Sequence, residues 1–212
     1  LRLNKPQFTG NIVINKASFY FKPKNINFQK TDIVLHFTEQ ALLIEKIRFQ
    51  NKVNTVLMKG KVDNFLNLYY DAPEKMMVNW KIYSPYLDIK QTVGVLSYHD
   101  KTVPVKTESK NQSSDQSSDQ LQQVFSKSQV SLDLLVDKMA FNKMIANNFK
   151  VNIRLTNGGL YVKNGSMQGS TGSAATFDAQ LVPKNELVLF KSNIKMSDGN
   201  ISRFLASFNN FG

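Results

Sequence analysis

Apolar and polar residues alternate along most of this chain at a spacing of two, which is the pattern of half-buried β-strands. Residues 32–37 show it, with Ile33, Leu35 and Phe37 on one side. Residues 150–155 show it again, 118 residues later. Each copy continues through polar breaks into further strand-like segments and then reaches a short helix-like segment. Because a repeated strand unit is typical of a stacked architecture, we expect a mainly β protein built from two similar units.

The same pattern predicts the order of the elements. In the first half we predict strands at 11–21, 32–37, 41–49, 53–61 and 77–83, with short helices at 63–70, capped by Asp63, and at 88–96. In the second half we predict strands at 130–136, 149–155, 160–162, 166–171, 174–182 and 186–196, and an amphipathic helix at 200–208. Turns are expected at 157–159, 164–165 and 183–185. The expected fold is an antiparallel, twisted and curled sheet with a few short α-helices.

One stretch of the chain breaks this pattern. Residues 108–120 contain no apolar residue and include Ser-Ser-Asp-Gln twice in tandem. Such a segment cannot bury enough surface to offset the entropy of ordering it. We therefore predict a flexible linker or loop at 100–128, between a first β-rich unit at 1–99 and a second at 129–212.

Composition limits the function classes. The 212 residues contain no cysteine, which excludes disulfides and thiolate chemistry, and no apolar run is long enough to span a bilayer. The net charge of +11 is divided as +8 over residues 1–107, −1 over 108–128 and +4 over 129–212. Spread-out basic charge suits anionic partners such as lipid headgroups, lipopolysaccharide or nucleic acid, and it equally suits a solvated surface. The chain begins with Leu1 rather than Met, so we expect it to be an internal piece of a longer protein.

Catalytic and metal-binding groups are sparse. His36 and His99 each lack partners at a useful spacing, and Asp133 and Asp137 would lie about 13 Å apart on one strand face, too far for a carboxylate pair. The glycine-rich stretch 165–172 lacks the Lys-Ser/Thr ending of a phosphate-binding loop. We therefore predict no enzymatic activity, no metal and no cofactor. Nucleic acid is disfavoured as a partner because most Phe residues fall on the apolar sides of strands.

A family resemblance is carried mainly by the second half. It rests on VSLDLLV at 130–136, FKVNIRLTNGGL at 149–160, MQGS at 167–170, NISRFLASFNNFG at 200–212, and SPYLDI at 84–89. These stretches resemble the AsmA-like repeat of bacterial envelope proteins, the family that includes TamB, and the last 13 residues resemble its members from Bacteroidota.

The resemblance implies a long twisted sheet that curls into a groove with an apolar concave side. It implies a periplasmic segment, tethered to the inner membrane by a part of the protein not present here, that supports outer-membrane biogenesis. Its partner would be phospholipid or another acyl-chain lipid, conducted along the groove with the headgroup in water. The expected groove residues are Phe19, Phe21, Ile33, Leu35, Phe37, Trp80, Leu132, Leu134, Val151, Ile153, Leu155, Leu160 and Val162.

Two alternatives remain open at this level, because a strand with one apolar face can bury it against a second sheet as well as against lipid. The first is a β-rich scaffold that assists outer-membrane protein assembly through envelope assembly proteins without carrying lipid. The second is a glycan-binding β-sandwich, which an exposed aromatic platform would favour. A continuous apolar strip that is open at both ends would favour lipid.

Overall fold

A computed structural model describes residues 9–22, 26–68, 76–96, 129–142, 144–156, 159–169, 172–184 and 187–198. The first five strands are β1 (Gly10–Phe21), β2 (Ile26–Phe37), β3 (Ala41–Gln50), β4 (Thr55–Asp63) and β5 (Met77–Asp88). The other five are β6 (Gln129–Phe141), β7 (Met144–Thr156), β8 (Gly159–Gly169), β9 (Ala174–Lys184) and β10 (Leu187–Ser197). The described helices are a 3-10 helix (Phe65–Leu68) and one α-helix, α1 (Ile89–Leu96).

The ten strands form one sheet in which their spatial order is their order along the chain. Neighbouring strands are antiparallel within β1–β5 and within β6–β10, whereas β5 and β6 are parallel. The sheet curls without closing. The predicted class, a mainly β protein with a curled and largely antiparallel sheet, is confirmed.

The parallel β5–β6 pair follows from the strand number of each unit. After five antiparallel strands the chain is at the opposite end of the strands from where it started. The chain must therefore run back along the length of the strands before a second unit can start in the same orientation. Parallel neighbours need a crossover of about a dozen residues or more. The connection between α1 and β6, residues 97–128, is long enough for this and contains the predicted linker. The linker itself lies outside the described residues, as does the predicted helix at 200–208.

Two local predictions in the first unit are revised and a third is confirmed. The segment predicted as a helix at 63–70 is a 3-10 helix at Phe65–Leu68, and Asp63 closes β4 instead of capping a helix. Its carboxylate lies 2.6 Å from the Lys61 ammonium. The strand predicted at 77–83 continues to Asp88, so the segment from residue 84 is still strand. The helix predicted at 88–96 is confirmed as α1.

In the second unit, the turn predicted at 164–165 is wrong. The strands predicted at 160–162 and 166–171 belong to the single strand β8, which contains a bulge where its pairing to β7 and β9 shifts. Asn164 takes a left-handed conformation there (φ 53°), and its backbone N–H donates to Asp178 Oδ1 at 2.9 Å. An Asn-Gly pair therefore serves a bulge as well as a turn. The turn predicted at 183–185 also begins later, because Pro183 still pairs with Val188.

Two apolar clusters hold the middle of the sheet together. The first consists of Ile44, Val62, Met76 and Val78, and Phe65 of the 3-10 helix packs against it. The second consists of Leu87, Val136, Met139 and Ala146, and Ile89 at the start of α1 packs against it. The two helical segments thus cover parts of the same side of the sheet near β3–β6.

Candidate functional site: the apolar face

One side of the sheet is apolar across all ten strands, and we call it the apolar face. Residues that pair directly across two strands point to the same side. The successive pairs therefore put residues of β2 to β6 on one side of the sheet, among them Ile33, Leu35, Trp80, Leu132 and Leu134. The pairs between β6 and β10 put further residues on the same side, including Val151, Ile153, Leu155, Leu160, Val162, Leu181 and Phe190.

The structure places twelve of the thirteen predicted groove residues on this one face. Phe37 joins it through its pairing with Leu42. Phe19 joins it through its ring stack with Phe28, at 4.7 Å between centroids, and through the edge contact of both rings with Phe49. Phe21 lies in β1 opposite Ile26, and its side chain is outside the described residues.

A line of directly paired residues crosses the apolar face at right angles to the strands, and we call it the central row. It consists of Ile14, Ile33, Ile47, Met58, Ile82, Leu134, Val151, Gly165, Phe177 and Ile194, with the β8 bulge between Val151 and Gly165. Nine strand spacings of about 4.8 Å make it about 43 Å long. Apolar contact can therefore be followed across the sheet without interruption by a charged side chain.

Exposure along the central row increases towards both ends. Val151 near the middle is 5 % exposed, whereas Ile14 on β1 is 37 % and Ile194 on β10 is 58 % exposed. Other apolar-face residues of the outer strands are also open, including Phe19 at 41 % and Phe190 at 63 %. Among the described residues, no second sheet covers this face.

Helix α1 borders a small apolar pocket on the same face. The buried Asn54 holds the helix start: its Oδ1 accepts from the Asp88 backbone N–H at 2.9 Å, and its Nδ2 donates to Thr92 Oγ1 at 3.4 Å. The pocket beside it has a volume of about 240 Å³. Its walls are Phe28, Phe49, Val56 and Met58, with Asn51, Asn54 and Thr92 at the helix side.

Two glycines on the apolar face lie beneath aromatic rings of the following strand. A Cβ on Gly165 would stand 2.4 Å from the Phe177 ring, and a Cβ on Gly60 would stand 2.6 Å from Trp80 Cδ1. The rings therefore lie close against the sheet instead of standing upright from it. The Trp80 Nε1–H is buried and has no hydrogen-bond partner among the described residues.

Several members of the face were not predicted from the sequence. Met58, Ile82 and Phe177 lie in the central row, and Phe28 and Phe49 line the pocket, yet none was predicted. The signal was present, because each alternates with its neighbours inside a strand. For Met58 and Phe177 the bulges obscured it, because the strands that face them, β3 and β8, shift register. Ile82 lies in β5, which pairs without a shift, and its alternation with Trp80 was sufficient to predict it.

The opposite face is polar and holds the candidate catalytic residues that were set aside. His36 contacts Asn11 there through its Nδ1. Asp133 accepts from Asn152 Nδ2 at 2.6 Å, and Asp137 accepts from the Tyr83 hydroxyl at 2.5 Å, which raises the pKa of that phenol above 10.0. Asp133 and Asp137 are exposed and His36 is half-buried, and all three contact amide or phenol groups.

The described ranges contain no group of three His, Asp or Glu residues placed to hold a metal ion. His99 lies outside them. Within the same ranges, no helix combines the length and the apolar character needed to cross a bilayer. Comparison with protein-family models, with curated proteins and with solved structures finds no match for this chain.

Proposed function

We propose that this protein binds lipid, with the acyl chains on the apolar face and the headgroup in water. The observation that carries the proposal is the central row, which continues through all ten strands and becomes more exposed at both ends. Apolar side chains that leave water contribute about 25 cal/mol per Å². A face of this extent that meets no second sheet among the described residues therefore favours an apolar ligand.

The curl of the sheet supports the same ligand class. Most apolar-face positions in β3–β8 are half-buried or buried, as expected on the inner side of a curled sheet. An acyl chain along the central row would contact one or two side chains from each strand that it crosses. Each buried methylene is worth about 0.8 kcal/mol, and part of that gain offsets the cost of ordering the chain.

The proposal extends to where such a protein acts. In line with the resemblance to the AsmA-like family, we propose that the chain is a periplasmic segment of an envelope protein tethered to the inner membrane. There it would conduct phospholipid in support of outer-membrane biogenesis. The repeated five-stranded unit suits this role, because further units of the same kind would lengthen the face without changing its character.

The glycan alternative receives no support from the described rings. The most exposed ones are Phe190 at 63 %, Tyr20 at 57 %, Phe19 at 41 % and Tyr83 at 36 %, and they are divided among β10, β1 and β5. Phe19 is packed against the half-buried rings of Phe28 and Phe49. Tyr83 and Phe190 point to opposite faces, so these four rings do not share one platform. The scaffold alternative differs from the main proposal in one respect, since it requires no bound lipid. Lipid occupancy therefore separates the two.

The proposal is tested by purifying the protein from a Gram-negative host and measuring bound lipid by native mass spectrometry and extraction. We expect phospholipid to co-purify, and we expect Leu134→Asp on the apolar face to abolish its retention. Leu135→Asp is the matched control, because Leu135 is the next residue of β6, points to the polar face and is 38 % exposed. Folding of both variants is checked by circular dichroism.

Two results would contradict the proposal. One is a folded wild-type protein that carries no lipid and takes up none from vesicles. The other is equal lipid loss in the two variants, because loss that does not depend on the face would reflect general damage to the sheet. Either result would favour the scaffold.

A further inference from the structure

The two outer strands of the sheet differ in regularity. β10 pairs with β9 through an unbroken series from Leu187–Lys184 to Ser197–Ala174 without a shift of register. β1 pairs with β2 through two shifts, and Lys16, within the first of them, takes a left-handed conformation (φ 53°). A regular outer strand presents a straight row of backbone donors and acceptors, whereas bulges disrupt that row.

The side chains of β10 add to this difference. Val188 is 61 % exposed, Phe190 is 63 % and Ile194 is 58 %, and all three lie on the apolar face. Within the part of the chain that the structure describes, β10 has one strand neighbour, β9. A long, regular and apolar outer strand of this kind is a template for pairing with another strand.

We propose that β10 pairs with β10 of a second copy of this chain, antiparallel and centred on Ser192, to form a symmetric dimer. This pairing uses the whole strand, since Leu187 then meets Ser197 of the second copy. On the apolar face, Val188 lies opposite Met196 of the second copy and Phe190 lies opposite Ile194. Apolar pairs of this kind are the stabilising unit between neighbouring strands.

Charge selects this register over its neighbours. On the polar face it places Lys191 opposite the uncharged Asn193 of the second copy. Moving the centre by one residue in one direction places Lys191 opposite itself, and moving it in the other direction places Lys191 opposite Lys195. Like charges directly across two strands are destabilising, so the register centred on Ser192 is the favoured one among those that use most of the strand.

The symmetry keeps both apolar faces on one side. Directly paired residues share a side of the sheet, and the pairing joins apolar-face residues of the two copies to each other. The dimer would therefore continue the central row from one copy into the other. The inference concerns the outer strand alone and does not depend on lipid binding.

Because the chain contains no cysteine, cross-linking can test the register directly. In Ser192→Cys the two thiols would lie on directly opposed residues, about 4.5–5.5 Å apart at Cβ, within the reach of a disulfide after small adjustment. In the control Ser197→Cys they would be separated by about ten residue spacings, roughly 33 Å. We expect mild oxidation to give a disulfide-linked dimer with the first variant and monomer with the second.

Sedimentation equilibrium then measures the association of the uncross-linked protein. Asn193→Lys should weaken the dimer about tenfold, because it creates two symmetry-related like-charge pairs. It should leave the monomer folded, because Asn193 pairs with Asp178 of its own chain. Glu39→Gln is the control, since it makes the same change of net charge in an exposed turn. Added salt should strengthen the wild-type dimer, because the two copies of Lys191 are diagonal neighbours.

Three outcomes would overturn the proposal. The first is a wild-type protein that stays monomeric at about 0.1 mM, a concentration above the dissociation constants of most specific complexes. The second is equal cross-linking of the two cysteine variants, which would show contact without register. The third is open-ended polymer, which would indicate pairing of β10 with β1 of another copy in place of a closed dimer.

Discussion

Replacing Gly165 with alanine should destabilise the sheet, although alanine suits a strand interior better than glycine by about 0.5–1 kcal/mol. The new methyl carbon would stand 2.4, 2.5 and 2.6 Å from three carbons of the Phe177 ring. Carbon atoms in contact are normally about 3.5–4 Å apart, so the ring must move by about 1 Å. Phe177 also contacts Phe149, at 6.0 Å between ring centroids, so a second ring is disturbed.

Forcing extra volume into a packed site costs about 1–3 kcal/mol. After the gain from alanine is subtracted, the net loss for Gly165→Ala should be about 1 kcal/mol. The free energy of unfolding is measured by urea titration, followed by the fluorescence of Trp80. A midpoint that falls without a change in slope would indicate lost stability in an otherwise unchanged transition.

Gly169→Ala is the matched control on the same strand. A Cβ there would meet the Ser173 Oγ at 2.3 Å, and rotation of a serine side chain removes this contact, so the variant should be as stable as wild type or slightly more so. Phe177→Leu should then cost less in the Gly165→Ala background than alone, because the two changes share one contact. Equal stability of the two alanine variants would refute the idea that Gly165 is present to make room for the ring.

Three further predictions concern buried polar groups. Thr31 is 1 % exposed and its hydroxyl has no partner among the described residues, so Thr31→Val should stabilise by up to about 1 kcal/mol in urea titration. The Ser84 hydroxyl shares its one hydrogen between the carbonyl oxygens of Thr55 and Tyr86, at 2.7 and 2.6 Å, so Ser84→Ala should destabilise by about as much or more. The Lys46 ammonium and the Lys16 backbone N–H hold the pKa of Asp32 below 3.8. The ionised Asp32 carboxylate therefore contributes its full stabilisation to the folded state above pH 3.8, and this stabilisation is lost as pH falls through the lower pKa that the carboxyl has in the folded protein. Asp32→Asn should lower stability at pH 7, and the difference from wild type should narrow below 3.8; a constant difference would contradict the assignment.

The fold class could be predicted because alternation at a spacing of two is a local property of the chain. Ile33, Leu35, Val151 and Ile153 are on the apolar face as predicted, since the extra residue of the bulge beside each segment lies in the partner strand, β3 or β8, and leaves the alternation of β2 and β7 intact. The same reasoning could not predict the parallel β5–β6 pair. That pairing depends on the number of strands in a unit and on the path of the connection between the units, and neither can be inferred from local alternation.

The errors in the second unit have a local cause. Asn164 and Gly165 have the residue types of a tight turn, and a bulge draws on the same left-handed conformation. Only the partner strands distinguish the two, since pairing continues on both sides of the bulge. The central row likewise needed the register of every strand, because bulges in β3 and β8 shift the residues that face Met58 and Phe177.

The central claim is that acyl chains lie on the apolar face, and Trp80 is the natural reporter because it is the only tryptophan in the chain and its ring lies on that face over Gly60. The most direct measurement is the quenching of its emission by a phospholipid with brominated acyl chains, against the same lipid without bromine. The account predicts saturable quenching by the brominated lipid, which Leu134→Asp abolishes and Leu135→Asp preserves. A folded protein that binds the lipid while Trp80 emission is the same with both lipids would place the acyl chains elsewhere and contradict the account.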